Sequence, residues 1–308
     1  MRRVTQDSVD AVVARIRRVY SRWRRDTPVS QMRADWDALF DVEIDAEVEP
    51  VDAGGVPCHW IRPARQRADA VIVYLHGGGY RVGSVASHRD LMARLATAAG
   101  VQVIGIDYRL APEHPLPAAI DDAVAVLDWL EQTGFAATQT AVAGDSAGGG
   151  LAVSAILSRL KDGKPRPAAA YLMSAWTDLT ASGVSYAERA ELDPIHQRHL
   201  IQAMAQGALG PDGATDDPRW SPLRAPRELL SRLPPMLLQV GERETLVSDT
   251  VDFAALAQAE GVPVQFEIWP GMIHVFQQFA RDLPQAEEAI AAGGRFIAAH
   301  LGSAAKIE

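Results

Sequence analysis

The chain alternates short apolar runs with amphipathic helical patterns, and this alternation strongly limits the folds that it can adopt. Short, mainly apolar runs, which we interpret as strands buried on both faces of a parallel sheet, occur at residues 70–75, 101–106, 140–143, 168–173, 236–240 and 264–268. Helical patterns lie between several of them, at residues 86–99, 118–132, 147–161 and 249–260. This alternation predicts an α/β fold in which helices cover both faces of a mostly parallel central sheet.

Three segments lie outside this pattern. Residues 42–48 alternate apolar and acidic side chains, which predicts a half-exposed antiparallel strand at the sheet edge. The first forty residues place apolar side chains at helical spacing among many arginines, which predicts an amphipathic helix that packs or acts as a lid. Residues 179–233 contain loop signals and a helical stretch near 196–207 but no clear strand. We therefore expect an N-terminal cap segment over residues 1–40 and a main domain over residues 41–308, with a cap insertion at about 180–232.

Composition disfavours several classes of protein. The formal net charge of −9 argues against a nucleic-acid partner and against a surface-binding role for the arginine-rich N-terminal helix. No apolar run approaches the ~18 residues that a membrane helix needs, so no stable membrane insertion is expected. The charged start of the chain, Met1 to Asp7, lacks the apolar stretch of a secretory signal, and the single cysteine, Cys58, fits a reducing cytoplasm.

The sequence Gly-Asp-Ser-Ala-Gly at residues 144–148 follows a predicted buried strand and opens a predicted helix. A strand that turns sharply into a helix leaves no room for side chains beside the turn, and the turn lifts the hydroxyl of Ser146 out of the sheet. The helix would also present backbone amides and its positive dipole end to that hydroxyl. A glycine-rich helix cap could share this sequence, but the flanking strand and helix favour a nucleophilic serine.

The sequence His-Gly-Gly-Gly at residues 76–79 directly follows another predicted strand. A serine that forms a tetrahedral intermediate needs N–H donors aimed at the oxyanion, and consecutive glycines allow a backbone to turn its amides inward. A loop of this type accompanies the serine turn in lipases and esterases. An ordinary flexible turn is the alternative. His76 itself is expected to be a structural hydrogen-bonding residue.

A nucleophilic serine needs a base, and with this type of turn the histidine follows the serine along the chain. His300 lies in the last predicted helix beside a polar tail. His196 and His199 lie three residues apart on a helical segment without the carboxylates of a metal site, and both are expected on the cap surface. His274 lies in a loop after the last predicted strand, where the base belongs.

The acid that orients this histidine should lie in the loop after the preceding strand, where three carboxylates compete. Glu242 follows the strand too closely to clear the sheet edge. Asp249 has the position of an N-cap for the next helix. Glu244 is the remaining candidate, although spacing alone leaves Asp249 open as an alternative.

Together these motifs resemble those of the bacterial hormone-sensitive lipase family of carboxylesterases. The resemblance rests on H-G-G-G at 76–79, Y-R-L-A-P-E at 108–113, G-D-S-A-G-G at 144–149 and the loop of His274, and it extends from about residue 40 to the end. It implies an α/β-hydrolase fold with a helical cap, no cofactor and no metal. It also implies hydrolysis of short- to medium-chain carboxylic esters through an acyl-enzyme, with lactones as a related substrate.

The resemblance further assigns roles to individual residues. It implies that Ser146 is the nucleophile, that His274 is the base and that Glu244 fills the acid position, where the family usually has aspartate. The implied oxyanion hole consists of the backbone amides of Gly78, Gly79 and Ala147. In the Y-R-L-A-P-E motif, Arg109 and Glu113 are expected to form an ion pair that braces their loop.

Other functions on the same fold stay open at this point. Plant hormone receptors that resemble this family lose the catalytic histidine, and related dehydratases can carry threonine at the nucleophile, whereas this chain has His274 and Ser146. An amidase could use the same residues. The expected partner is a small-molecule ester, and a homodimer would be ordinary for such a family.

Overall fold

The structure is a computed structural model that describes residues 6–302, so most of the charged start and the last six residues lie outside the described part. It contains eight strands and ten α-helices. The strands are β1 (Glu47–Asp52), β2 (Pro57–Arg62), β3 (Arg67–Leu75), β4 (Val101–Ile106), β5 (Thr140–Asp145), β6 (Ala169–Met173), β7 (Met236–Gly241) and β8 (Val264–Trp269). The helices are α1 (Gln6–Tyr20), α2 (Val29–Leu39), α3 (Val85–Ala99), α4 (Ala118–Gln132), α5 (Ala147–Lys161), α6 (Ser185–Glu188), α7 (Arg198–Leu209), α8 (Arg227–Leu230), α9 (Val247–Ala259) and α10 (Pro284–His300).

All eight strands form one sheet, in the order β1-β2-β4-β3-β5-β6-β7-β8. β1, β2 and β4 pair in antiparallel fashion, and every pair from β4 through β3 to β8 is parallel. The strands β3 to β7 are apolar without alternation because helices cover both of their faces. The predicted α/β fold with a mostly parallel sheet is confirmed.

Two hydrophobic clusters flank the sheet. On one face, α4, α5 and α9 pack in a cluster that includes Leu127, Leu151 and Phe253. On the other face, α1, α2, α3 and α10 pack in a cluster that includes Ile16 and Ile290. The buried side of each helix therefore belongs to one of two apolar layers. The sheet, with the ends of its parallel strands, lies between these layers.

The predicted edge strand at residues 42–48 is wrong in its position. β1 begins at Glu47, which pairs with Arg62, the last residue of β2. Pro63 follows, so residues 42–46 find no partner strand to continue the ladder. The expectation that residues 264–268 form a strand buried on both faces is also wrong, because β8 is the other edge and leaves Phe266 and Ile268 more than 40% exposed.

The N-terminal helices are tied to the rest of the chain. α1 buries apolar side chains that include Val12 and Ile16, each no more than 2% exposed. From α2, the guanidinium of Arg33 contacts the carboxylate of Glu113 at 2.7 Å and donates to the carbonyl of Arg81 at 3.0 Å. The expected ion pair between Arg109 and Glu113 is therefore wrong. Arg109 instead pairs with Asp122 at 2.7 Å.

The stretch between β6 and β7 forms no strand and contains α6, α7 and α8. It runs past the carboxyl ends of the parallel strands before the chain re-enters the sheet at Met236. Across residues 6–302, no helix is long and apolar enough to cross a membrane.

Candidate active site

Ser146 lies at the turn between β5 and α5 with a backbone φ of +51°, in a region that few residues other than glycine adopt. Its amide donates to the carbonyl of Met173 at 2.8 Å, which fixes the turn against β6. A Cβ at Gly144 would lie 2.4 Å from the carbonyl oxygen of Gly148, and one at Gly148 would lie 2.0 Å from that of Leu75. The two glycines of the motif are therefore required by close backbone contacts.

Three side chains predicted from the sequence meet in a hydrogen-bonded chain. His274 Nε2 lies 2.8 Å from Ser146 Oγ, and His274 Nδ1 lies 2.6 Å from Glu244 Oε2. Glu244 is fully buried, and His274 is only 8% exposed. The imidazole thus stands between a hydroxyl and a carboxylate, in the geometry of a nucleophile, a base and an orienting acid.

Ser174 holds the carboxylate of Glu244 in place. Its hydroxyl donates to Glu244 Oε1 at 2.6 Å and accepts from the amide of Val275 at 3.0 Å. The amide of Gly241 also donates to Glu244 Oε1, at 2.6 Å. Ser174 therefore joins the acid to the histidine loop, a role that the sequence analysis missed. Its position directly after a parallel strand was the signal available.

Glu244 also determines the proton affinity of His274. Burial alone disfavours the charged imidazole, but the adjacent carboxylate outweighs it, so the pKa of His274 is raised above its ordinary value. An imidazole with a raised pKa is a stronger base towards a neighbouring hydroxyl. The carboxylate also favours the tautomer that carries its proton on Nδ1, which leaves Nε2 free to accept the serine proton.

Asp249 does not cap α9, as expected from the sequence, because the helix begins at Val247 and Asp249 lies within its first turn. Its Oδ2 accepts from the amides of Thr177 and Asp178 at 3.0 and 2.9 Å, in the loop after β6. No hydrogen bond joins it to His274 in the described structure. Burial raises the pKa of Asp249 to about 8.

We predict that Asp249→Ala lowers the free energy of unfolding by about 2–4 kcal/mol, because two buried amides lose their acceptor. Asp249→Asn keeps an acceptor and should be less affected. In the wild type the folded state holds a proton that the unfolded chain has lost above about pH 4, so the stability contributed by Asp249 should fall as pH rises towards 8. Urea unfolding at about pH 5 and about pH 9 measures this. A wild type that does not weaken relative to Asp249→Asn with rising pH would contradict the prediction.

The loop after β3 and the start of α5 present three backbone amides without acceptors. Within residues 6–302, the N–H groups of Gly78, Gly79 and Ala147 donate no hydrogen bond. Gly78 and Gly79 have φ of +117° and +62°, which keeps them in the left-handed region and turns this loop tightly. Buried amides are almost always paired, so these donors are available to a bound group.

A buried polar network contacts the loop after β3. Asp145 Oδ1 accepts from the hydroxyl of Tyr74 at 2.7 Å and from the amide of Gly77 at 3.1 Å, and Oδ2 lies 3.4 Å from His88 Nε2. Burial opposes ionisation, but His88 and Tyr74 hold the pKa of Asp145 below its ordinary value. His76 stacks on Tyr108 with ring centroids 4.2 Å apart, away from the hydrogen-bonded chain of Ser146, His274 and Glu244.

His196 does not lie on the cap surface as predicted. It is only 8% exposed, and its ring meets that of His274 edge to face with centroids 4.5 Å apart, whereas His199 is exposed. Burial, with His274 as the next cause, lowers the pKa of His196 to about 3, so its ring is neutral. The helical spacing of the two histidines suggested a shared face, but the helix begins only at Arg198.

Asp193 fixes His196 in this position. One carboxylate oxygen accepts from the amides of Ile195 and His196, at 2.8 and 2.9 Å. The other accepts from the amide and the hydroxyl of Thr245, at 2.8 and 3.0 Å. Since Thr245 follows Glu244, one buried carboxylate links the insertion to the loop that carries the acid.

A cavity of about 480 Å³ lies over Ser146 and His274. Residues of α1, α2 and α7 line it, together with Gly78 and Gly79. Most of the lining is apolar, and Ser146 and His274 are among its polar residues. This combination is typical of small-molecule sites.

Comparisons with known proteins agree with the predicted family. Residues 72–278, more than half of the chain, match the alpha/beta hydrolase fold family. An acetyl-hydrolase of Streptomyces hygroscopicus is 40% identical over 286 residues, covering 92% of this chain and 94% of the relative. An esterase of Acinetobacter venetianus is 35% identical over 253 residues, covering 82% of each.

A solved structure, that of an esterase from the bacterial hormone-sensitive lipase family, is similar over the whole fold. Its TM-score is 0.91 at 37% identity, and the match covers 97% of this chain and 100% of that one. The resemblance expected from four short motifs thus extends to the N-terminal helices and the insertion. The chain belongs to the bacterial hormone-sensitive lipase family of esterases, within the alpha/beta hydrolase fold.

Proposed function

We propose that this protein hydrolyses short- to medium-chain carboxylic esters through an acyl-enzyme on Ser146, with His274 as base and Glu244 as acid. The observation that carries the proposal is the hydrogen-bonded chain from Ser146 Oγ through the imidazole of His274 to Glu244, at 2.8 and 2.6 Å. The acetyl-hydrolase and esterase names of the similar proteins support the same substrate class.

In the first half of the reaction, Nε2 of His274 takes the proton of Ser146 as Oγ attacks the ester carbonyl carbon. The carbonyl oxygen becomes an oxyanion and receives hydrogen bonds from the free amides of Gly78, Gly79 and Ala147. The bond to the alcohol then breaks, and the imidazolium gives its proton to the leaving oxygen. Glu244 stabilises the imidazolium while it exists.

In the second half, water replaces the alcohol. His274 removes a proton from the water, which attacks the acyl carbon, and the same amides hold the second oxyanion. Collapse of this intermediate breaks the bond to Oγ, returns the proton to Ser146 and releases the acid. A lactone would follow the same path with its alcohol still attached to the acyl chain.

A fluorophosphonate probe tests the proposal directly, because it reacts with a serine whose hydroxyl is activated by a neighbouring base. We expect one adduct on the peptide that contains Ser146, and loss of ester hydrolysis in proportion to labelling. Buried Ser154 on the same helix should stay unlabelled. An unlabelled, folded protein that does not hydrolyse esters would favour a non-catalytic binding protein and overturn the proposal.

We also infer that residues 1–40 and about 180–232 act as a cap on a catalytic domain that spans residues 41–308. The support is that α1, α2 and α7 all contribute side chains to the cavity above Ser146. Leu230 and Leu233 are fully buried in the cluster beneath α5, so the covering part of the insertion lies before them.

The remaining expectations about the protein in the cell are inferred as well. A cytoplasmic location is supported by the single cysteine, Cys58, which is buried and unbridged. A homodimer is supported by the exposed side chains of Phe266 and Ile268 on the edge strand β8. The negative net charge continues to argue against a nucleic-acid partner.

Gly79→Val is expected to lower kcat by about 100-fold, which corresponds to the roughly 3 kcal/mol lost with one oxyanion donor. Valine disfavours the φ of +62°, so we expect the backbone to relax and the amide to turn away; its Cβ would also stand 3.0 Å from the sulfur of Met204. Steady-state kinetics on a p-nitrophenyl ester measures the change.

Gly163→Val is the matched control for Gly79→Val. Gly163 has a similar φ of +76° but lies after α5 in open space. This variant should lose stability from the same backbone strain and keep its kcat. If both variants kept a normal kcat, the loop after β3 would not be the oxyanion hole.

A further inference from the structure

The cavity over Ser146 has one wall made of aromatic rings. Tyr20, Trp23 and Trp36, here called the aromatic wall, come from α1, α2 and the turn between these helices, and all three line the cavity. The ring centroids of Tyr20 and Trp23 are 5.0 Å apart, and those of Tyr20 and Trp36 are 5.9 Å apart with planes inclined by only 21°. The three rings therefore pack against one another and together line one part of the cavity.

The aromatic wall is held in position by contacts outside the cavity. The indole N–H of Trp23 donates to Asp35 Oδ2 at 3.1 Å, and Asp35 Oδ1 accepts from the side-chain amide of Gln31 at 2.8 Å. Trp36 packs edge to face on Phe40 with centroids 5.3 Å apart. A binding surface that is fixed before the ligand arrives costs less ordering entropy on binding.

Two of these rings are only partly covered by other residues of the protein. Trp36 is 9% exposed, but Tyr20 and Trp23 are only half-buried. Phe253 and Phe276, by contrast, are fully covered by the protein and leave no ring surface for a ligand. The half-buried rings instead leave apolar surface available beside the cavity.

Another part of the cavity lining has a different chemistry. There α7 and the loop before α9 contribute aliphatic and thioether side chains, among them Ile201, Met204 and Leu246. Such side chains bind linear or branched alkyl groups only through the apolar surface area that binding buries. Aromatic rings add a preference for other aromatic rings, by offset stacking or edge contact, of about 0.5–1.5 kcal/mol beyond the buried area.

We propose that the aromatic wall binds a planar aromatic group of the ester, so that this enzyme favours arylalkyl esters over linear esters with the same number of carbons. The inference rests on the proposed ester hydrolysis at Ser146 and names its substrate class. The acyl part and the alcohol part of the ester both extend from the carbonyl carbon that Ser146 attacks, so either part could reach the aromatic wall. The substrates chosen below distinguish an aromatic acyl group from an aromatic alcohol.

The test compares pairs of esters that have matched carbon number and unactivated leaving groups. Phenethyl acetate against octyl acetate examines the alcohol side, and ethyl hydrocinnamate against ethyl nonanoate examines the acyl side. For each pair, kcat/KM measured by titration of the released acid gives an aryl-to-alkyl ratio. Comparing this ratio between variants cancels the intrinsic reactivity of each ester.

Trp23→Leu should reduce the aryl-to-alkyl ratio by about two- to twelvefold in one of the two pairs, which follows from 0.5–1.5 kcal/mol of ring contact. Trp23→Phe keeps a ring at the wall and should retain most of the ratio. Trp129→Leu is the matched control, because Trp129 is another half-buried tryptophan that packs near Trp60, with centroids 6.5 Å apart, away from the cavity. It should leave both ratios unchanged.

Tyr20→Leu and Tyr20→Phe repeat the test on the neighbouring ring and replace it if Trp23→Leu does not fold. Equal ratios in wild type, Trp23→Leu and Tyr20→Leu for both pairs would overturn the inference while leaving the esterase intact. A folded wild type that hydrolysed none of the four esters would overturn the proposed function, and the inference with it. A ratio that fell equally in Trp129→Leu would also overturn the inference, since the effect would then be one of stability.

Discussion

Ser146→Ala is expected to abolish ester hydrolysis, with kcat falling by about 10⁴-fold or more, because the acyl-enzyme forms on the missing oxygen. The fold should be retained. Serine and alanine both carry a Cβ, so the strain at φ +51° is the same in the two proteins. Hydrolysis of p-nitrophenyl acetate gives the rate, and the thermal midpoint reports the fold.

Ser154→Ala provides the control for this variant. Ser154 is a buried serine on the same helix, and its hydroxyl has no hydrogen-bond partner in the described structure. Its removal should change neither the rate nor the thermal midpoint by much. If Ser146→Ala turned over the ester at a rate close to that of the wild type, the proposed mechanism would be wrong.

Glu244→Gln is expected to lower kcat by about 10² to 10⁴, because the imidazole loses both its tautomer preference and the charge that stabilises the imidazolium. The change should also appear in the pH profile. The neutral form of His274 is the active base, so activity falls as pH drops through its pKa. Removing the neighbouring carboxylate removes what raises this pKa, and the acidic limb of kcat/KM should therefore move to lower pH.

Two further variants separate Glu244 from the alternative acid. Glu244→Asp should also be impaired, since the shorter side chain cannot contact Ser174, Gly241 and His274 at once without movement of the backbone. Asp249→Asn should keep nearly normal activity, because Asp249 contacts the loop after β6 and not the imidazole. Loss of activity in Asp249→Asn, with normal activity in Glu244→Gln, would reverse the assignment.

The parts of the fold that depend on local pattern could be predicted from the sequence. Strands β3 to β7 have both faces covered, so each contains a short, mainly apolar run, and α4 and α5 have the bounds that their helical patterns predict. Ser146 and His274 were identified for a related reason. Ser146 directly follows β5 and His274 lies in the loop after β8, and the ends of parallel strands meet at one edge of the sheet.

Features that depend on a distant partner could not be predicted. The alternation at residues 42–46 is real, but whether it forms a strand depends on where β2 ends. Asp249 has the spacing of a cap, and only the path of the chain after β6 brings two amides to its carboxylate. The burial of His196 depends on Asp193, whose partner Thr245 lies 52 residues along the chain.

The carboxylate of Asp193 has a consequence for chimeric enzymes. Exchanging the insertion between relatives is an obvious way to change specificity, and it treats the segment as a separable part. Here one side chain of the insertion orders both its own backbone at His196 and the loop of Thr245 in the recipient. A donor segment without a hydrogen-bond acceptor at this position would leave the Thr245 amide unpaired. The loop that carries the neighbouring Glu244 would then be held less firmly. Graft junctions should therefore lie after His196, so that the recipient keeps Asp193 and only α7 and the chain beyond it are exchanged.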